Sequence, residues 1–153
     1  MYKKLLLFVF ISINTCFFLN AQTATANEKD IEAVKSVVQN MFNAMKKSDT
    51  LALKQCFSST AIFQTIVSKP YEVVVQNGSV QDFLISVAKQ PVGSLDERIE
   101  FETVKTNKEL AIVWTPYQFY YKDKYSHRGV NSFQLVQLKE GWKIQYLIDT
   151  RYK

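Results

Sequence analysis

Histidine is nearly absent from the 153-residue sequence, where His127 stands alone. One imidazole and scattered carboxylates supply no Cys/His ligand spacing, so no metal centre is expected. Cysteine is almost as scarce. Cys16 lies in an apolar leader and Cys56 in the body, so once the leader is gone no intrachain disulfide can form and the fold stands on packing alone. Cys56, between Gln55 and Phe57 at the end of an apolar-periodic stretch, reads as a buried structural thiol. Four glycines and three prolines, with no repeat or low-complexity tract, leave no internal linker. Basic residues are dispersed, and Lys3 and Lys4 sit in the leader, so the formal charge of +5 overstates that of the body. No basic face tracks a phosphate backbone, and nucleic acid is not an expected partner.

The longest apolar run, Leu5 to Leu19, follows Lys3 and Lys4 and ends at Asn20, Ala21, Gln22. A basic start, a short apolar stretch and a small-residue site describe a removable signal peptide over residues 1–21. The run is short of the roughly 20 residues a spanning helix needs, so no membrane association is expected after cleavage. Ala24-Thr25-Ala26 offers a second cleavage site. Cys16 follows Thr15, a poor lipoprotein context, and Phe17, Phe18 and Leu19 continue the apolar run. The protein is therefore expected outside the cytoplasm, periplasmic or secreted, as one domain over residues 27–153.

From Asn27 the period is helical: Ile31, Val34, Val38, Met41, Phe42 and Met45 share one face over Glu28 to Lys46, with Asn27 as the expected N-cap. Asp49 or Thr50 can cap a short second helix carrying Leu51, Leu53 and Phe57. Thr60 to Val67 reads as a strand, Tyr71 to Val75 as another, Gln76-Asn77-Gly78 as a turn, and Ser79 as the cap of a third helix through Ala88. After Ser94 the period changes to alternation. Arg98–Thr106, Leu110–Tyr121, Tyr125–Leu138 and Trp142–Arg151 are expected as an antiparallel meander. Helices first and strands last define an α+β fold. In the last strand, Trp142, Ile144, Tyr146 and Ile148 are expected inward and Asp149 outward, in an ion pair with Arg151 or Arg128. Asn131, Phe133 and Leu135 are expected on the same inner face. A bulge near Gly129 could shift what precedes it.

Trp114-Thr115-Pro116-Tyr117-Gln118-Phe119, then Ser126-His127-Arg128-Gly129-Val130-Asn131-Ser132-Phe133-Gln134-Leu135, closing with Asp149-Thr150-Arg151, resembles the putative lumazine-binding (SnoaL-like) family of the nuclear transport factor 2-like superfamily. The resemblance implies a cone-shaped, cystatin-like fold, three N-terminal helices on a strongly bent antiparallel sheet, enclosing a pocket. Relatives use that pocket as isomerases, dehydratases, polyketide cyclases, binding proteins or dimer platforms.

Aromatics crowd the meander, and Tyr and Trp join an apolar body to a polar tip, as a pocket for a flat or hydrophobic ligand requires. The ligand-lining candidates are Trp114, Tyr117, Phe119, His127, Asn131, Phe133 and Tyr146, with Asn131 and Gln134 orienting the ligand. The leading expectation is an exported binding domain for a small hydrophobic or aromatic ligand, with no cofactor. Two alternatives stay open: an enzyme with His127 as general acid or base, and a structural homodimer that uses the aromatics as core and interface. Asp30 and Glu32 belong to a solvated helix face, and Asp96 and Glu97 read as loop residues.

Overall fold

The computed structural model describes residues 16–153, with side chains from Asn27 onward. The leader expected over residues 1–21, and the second cleavage site at Ala26, lie outside the described side chains. Helix α1 runs Cys16–Lys46, α2 Thr50–Gln55 and α3 Val80–Ala88. Strands are β1 Phe57–Ser68, β2 Val73–Gly78, β3 Leu95–Ile99, β4 Thr103–Asn107, β5 Leu110–Tyr121, β6 Lys124–Leu138 and β7 Gly141–Thr150. Among the described residues no helix is long and apolar enough to cross a membrane.

The amphipathic face of α1 is where the spacing puts it, with Val34, Val38, Met41, Phe42 and Met45 buried. The helix begins earlier than expected because Ala21, Ala24 and Ala26 are good helix formers and continue it backward. Asn27 is consequently no cap; its Oδ1 accepts a hydrogen bond from Thr106 Oγ1 at 2.6 Å. At the far end Ser48 takes a positive φ of 54° and turns the chain, and Asp49 caps α2 by accepting from Ala52 N at 3.0 Å. Ser79 caps α3 in the same way, accepting from Asp82 N at 3.0 Å. Cys56 is buried, as its context suggested, and burial pushes its thiol up from the usual range.

One seven-stranded sheet has the order β2-β1-β7-β6-β5-β3, with β4 also on β5. Every pairing is antiparallel except β1 with β7, which is parallel. The helices cover one face, and the fold is α+β and cystatin-like, as expected. Gln76, Asn77 and Gly78, expected as a turn, remain in β2 opposite Thr65, Gln64 and Phe63.

The strand expected over Arg98–Thr106 is two strands. Ile99 pairs with Tyr117 and Thr103 with Trp114, so one side of the ladder carries an extra residue. Pro116 explains the break, because it has no N–H to donate and only accepts, from Glu100 N at 3.0 Å. The irregularity expected near Gly129 lies three residues before it, where Phe119 pairs with His127 but Tyr120 with Tyr125, leaving Ser126 as the extra residue. Gly129 itself stays in register with Tyr117. That glycine is needed for close approach instead: a Cβ there would stand 1.9 Å from the Thr150 carbonyl oxygen.

The consequential irregularity is in β7. Leu135 pairs with Ile144, but Gln134 pairs with Tyr146, leaving Gln145 as an extra residue. Its side chain holds the bulge against β1, where pairing also slips between Phe57 and Ile62. Gln145 Oε1 accepts from Ser58 Oγ at 2.6 Å and Nε2 donates to the Thr60 carbonyl at 3.0 Å. One inserted residue exchanges the faces of everything beyond it. Trp142 and Ile144 point inward as expected, but beyond the bulge Leu147 and Asp149 are the inward residues, and Tyr146 and Ile148 go to the outer face.

Candidate functional site

The inner face therefore has two parts. At one end Phe133, Leu135, Ile144 and Val113 form a dry core with Val34, Val38 and Leu53. At the other lies a cavity of about 220 Å³. Its apolar side is made by Met41, Phe42 and Met45 of α1, Phe83 and Val87 of α3, and Phe63, Leu95, Phe119 and Leu147 of the sheet. Its polar side is made by Glu97, Tyr117, His127, Asn131, Asp149 and Arg151.

The polar side follows from strand register. Thr115, Asn131 and Asp149 are direct cross-strand neighbours on β5, β6 and β7, all at least nine-tenths buried. Asn131 Nδ2 donates to Glu97 Oε1 at 2.7 Å, which draws the Glu97 carboxyl from edge strand β3 into the lumen. Arg151 Nε donates to Asp149 Oδ2 at 2.9 Å. Asp149 Oδ1 and Thr115 Oγ1 are buried with no hydrogen-bond partner among the described residues. Polar atoms buried in that way are rare, because leaving them unmatched costs roughly 1–3 kcal/mol each.

Burial pushes Glu97 up from 4.5 to about 7; the Asn131 hydrogen bond opposes this, while the negative charge of Asp149 adds to it. Burial likewise raises the Tyr117 phenol, whose hydroxyl donates to the Thr150 carbonyl at 2.9 Å. His127 is drawn below the ordinary imidazole value by burial and by the positive charge of Arg151. Its Nδ1 lies 3.0 Å from Ser126 Oγ, and its ring sits 4.9 Å from Phe119 and edge-on to Tyr117 at 5.8 Å. Outside the cavity, Asp96 ties the end of α1 to β3 by accepting from Lys46 Nζ at 2.8 Å and Arg98 Nε at 2.9 Å, and Lys46 first and foremost holds its carboxyl below the usual range.

Of the expected lining residues, Tyr117, Phe119, His127 and Asn131 converge on the cavity. Three others do not. Phe133 is fully buried behind Phe42, edge-on at 6.1 Å, as part of the core. Trp114 alternates to the outer face and is 44% exposed. Tyr146 lies on that face too, because of the bulge, with its hydroxyl donating to Gln64 Oε1 at 2.6 Å. Gln134 is also outside and exposed. Asp149, expected outward, is an inner residue; its ion pair with Arg151 exists, but at the cavity. Glu97 sits in β3 and not in a loop. A signal for the exchange was present: Tyr146-Leu147-Ile148 is three apolar residues in a row, which strict alternation forbids. For Glu97 the sequence carries none, since Asp96-Glu97-Arg98 reads as a solvated charge run. Among the described residues no cluster of three or more His, Cys, Asp or Glu could hold a metal ion.

A helix-covered, bent sheet closing on a mixed polar and aromatic cavity is the nuclear transport factor 2-like architecture. The structure resembles a nuclear transport factor 2-like protein with a cystatin-like fold from Novosphingobium aromaticivorans at a TM-score of 0.69 and 10% identity, over 93% of each chain. It also resembles such a protein from Silicibacter pomeroyi, at a TM-score of 0.66 and 16% identity over 82% of this chain and 98% of that one. A third likeness is to a protein from Streptomyces avermitilis described as a putative dehydratase of the same superfamily, at a TM-score of 0.59 and 14% identity, covering 82% and 98%. Within this superfamily the chain belongs to the family described as "Putative lumazine-binding", whose model matches residues 29–146. No curated protein matches it.

Proposed function

We propose that the chain is an exported domain that binds a small, flat, largely apolar molecule in the cavity between α1, α3 and the sheet. The observation that carries this reading is the polar wall: Asn131 and Asp149 from a buried cross-strand row, with Asp149 Oδ1 unmatched among the described residues, facing a lining of phenylalanine and methionine. Apolar walls with a few convergent polar groups are what a small-molecule site needs. A dry cavity of about 150 Å³ accepts benzene, so the observed volume suits a single substituted ring. The family description points to ligand binding as well. Export rests on the leader over residues 1–21, leaving one domain over residues 27–153 in the periplasm or outside the cell.

The test is native mass spectrometry of the protein purified from its own exported fraction, with denaturation to release bound compounds. One small molecule per chain is expected, lost when Ser86, an exposed lining residue on α3, is replaced by Trp. A clean mass, together with no change in melting temperature across a panel of ring compounds, would overturn the reading.

The outer face carries the homodimer expectation. Ile62, Tyr146, Gln134 and Ile112 form one cross-strand row, and Gln64, Ile148, Ser132 and Trp114 the next. Ile62, Ile112 and Trp114 are all exposed, and such an apolar sheet face is a surface that a second copy would cover. Sedimentation should give a dimer that Trp114→Glu dissociates.

A second reading is favoured by Glu97 and His127 lining one cavity with opposite shifts from their ordinary values. Under it the protein is an isomerase, dehydratase or cyclase with His127 as general acid or base on an aromatic or polyketide-like substrate. His127→Ala would then abolish turnover and spare binding.

A further inference from the structure

We infer that the cavity selects ring compounds carrying a cationic, N–H-rich substituent, received by Glu97 and Asp149. This deepens the binding reading and depends on it.

The hydrogen-bond inventory of the polar wall is lopsided. Its buried donors have protein acceptors: Asn131 Nδ2 donates to Glu97 and Tyr117 Oη to the Thr150 carbonyl. Arg151, half-exposed, gives Nε to Asp149 and Nη2 to Thr65 Oγ1 at 3.4 Å and keeps its other N–H groups toward its exposed surroundings. Its acceptors are not used up. Asp149 Oδ1 has no partner among the described residues, and Glu97 is held through one oxygen only. A carboxylate has capacity for several donors, so a ligand that satisfies these buried oxygens brings N–H groups.

The charge count agrees. Two carboxylates face one guanidinium. His127 is held toward its neutral form, and the side chains that α1 and α3 contribute to the lining are uncharged. Lys46, the nearest α1 cation to β3 in the ion-pair network, is committed to Asp96. With Glu97 ionised the wall carries one net negative charge, and an anionic ligand would add to it.

Charge and geometry together give binding a proton signature. Glu97 in the unliganded protein is half-protonated near pH 7, and a cation beside it favours the ionised form. The ligand therefore displaces a proton. Because the fraction of ionised Glu97 rises about tenfold between pH 6 and pH 8, affinity rises by about the same factor.

The experiment is calorimetric titration of the exported protein with three probes of similar shape: benzamidinium, benzyl alcohol and benzoate. Each is run at pH 6, 7 and 8, in two buffers of different ionisation enthalpy. Benzamidinium is expected to bind at least tenfold more tightly than benzyl alcohol at pH 8, with benzoate weakest, and to release a proton near pH 6.5. Glu97→Gln should remove the preference, the pH dependence and the proton release together. Equal or tighter binding of benzyl alcohol or benzoate overturns the inference while the binding reading survives, as does a cation preference that persists in Glu97→Gln. Should that variant fail to fold, the proton count on the unmodified protein decides: no release near pH 6.5 overturns the inference. If no ring compound of any charge binds, the binding reading fails and takes the inference with it.

Discussion

The two ends of the inner sheet face are built on the same strands and covered by the same helix, yet one is a dry core and the other a lined cavity. At the closed end, β5, β6 and β7 contribute Val113, Phe133, Leu135 and Ile144, all at most 2% exposed. A few residues along, the same strands contribute Tyr117, Asn131 and Asp149. The transition on β7 is made by one residue, Gln145, whose insertion turns Leu147 and Asp149 inward. A binding wall can thus be added to a folded core at the cost of one bulge, with the core supplying the stability that buried polar groups withhold.

The largest expected effect is at the dry end. Phe133→Ala should destabilise by about 3–5 kcal/mol, because the ring is fully enclosed and its neighbours cannot collapse onto the gap. Chemical denaturation measures it. Phe119→Ala, on the lumen side and only partly buried, should cost roughly 1 kcal/mol, since that ring already borders open space. Equal losses at the two sites would erase the distinction between core and cavity.

Next is Gly129→Ala, expected to cost about 1–3 kcal/mol because its methyl group collides with the Thr150 carbonyl beside the Tyr117 hydroxyl. It should also disturb the bridge in which Arg128 and Tyr152 exchange backbone hydrogen bonds at 2.9 and 2.8 Å. Gln145→Ala sharpens the comparison from the other side. Losing its bonds to Ser58 and Thr60 should cost about 1 kcal/mol, and ligand affinity should fall with it if the bulge is what sets the wall.

The pH dependence separates the ends as well. Glu97 holds its proton in the folded state up to about 7 but only to 4.5 when unfolded. The folded state therefore binds the extra proton between those values. Its stabilising effect is complete below pH 4.5 and is lost as pH rises through 7. Glu97→Gln should accordingly be more stable than the parent at pH 8, by on the order of 3 kcal/mol, and show a gain of less than about 1 kcal/mol at pH 5. Thermal melts of both proteins at the two pH values check this.

The closed end was legible in the sequence because it obeys simple periods. The three-and-four spacing of Val34, Val38, Met41 and Met45 and the alternation of Trp142 with Ile144 hold in the fold. Capping by Asp49 and Ser79 was legible for a similar reason, each being a local hydrogen bond written in neighbouring residues. The open end was half legible. Tyr117 and Phe119 on β5, and His127 and Asn131 on β6, lie on the same side of the slip at Ser126 as the core residues they alternate with, so alternation placed them correctly. Trp114 and Tyr146 were drawn toward the site by aromatic character alone, although register sends both outward. Asp149 and Glu97 were missed because what brings them in is tertiary: an amide-locked bulge in one case, and a hydrogen bond from a distant strand in the other.

Glu97 is the pivot of the cavity: an acid on an edge strand, partly buried and turned toward the wall it belongs to. Its ionisation can be followed directly by carbon NMR of selectively labelled glutamate, with Glu97→Gln assigning the resonance. A midpoint near 7, moving downward when a cationic ring compound is added, is the result predicted here. A midpoint near 4.5 would place the carboxyl in solvent and contradict the inner wall on which the binding reading stands.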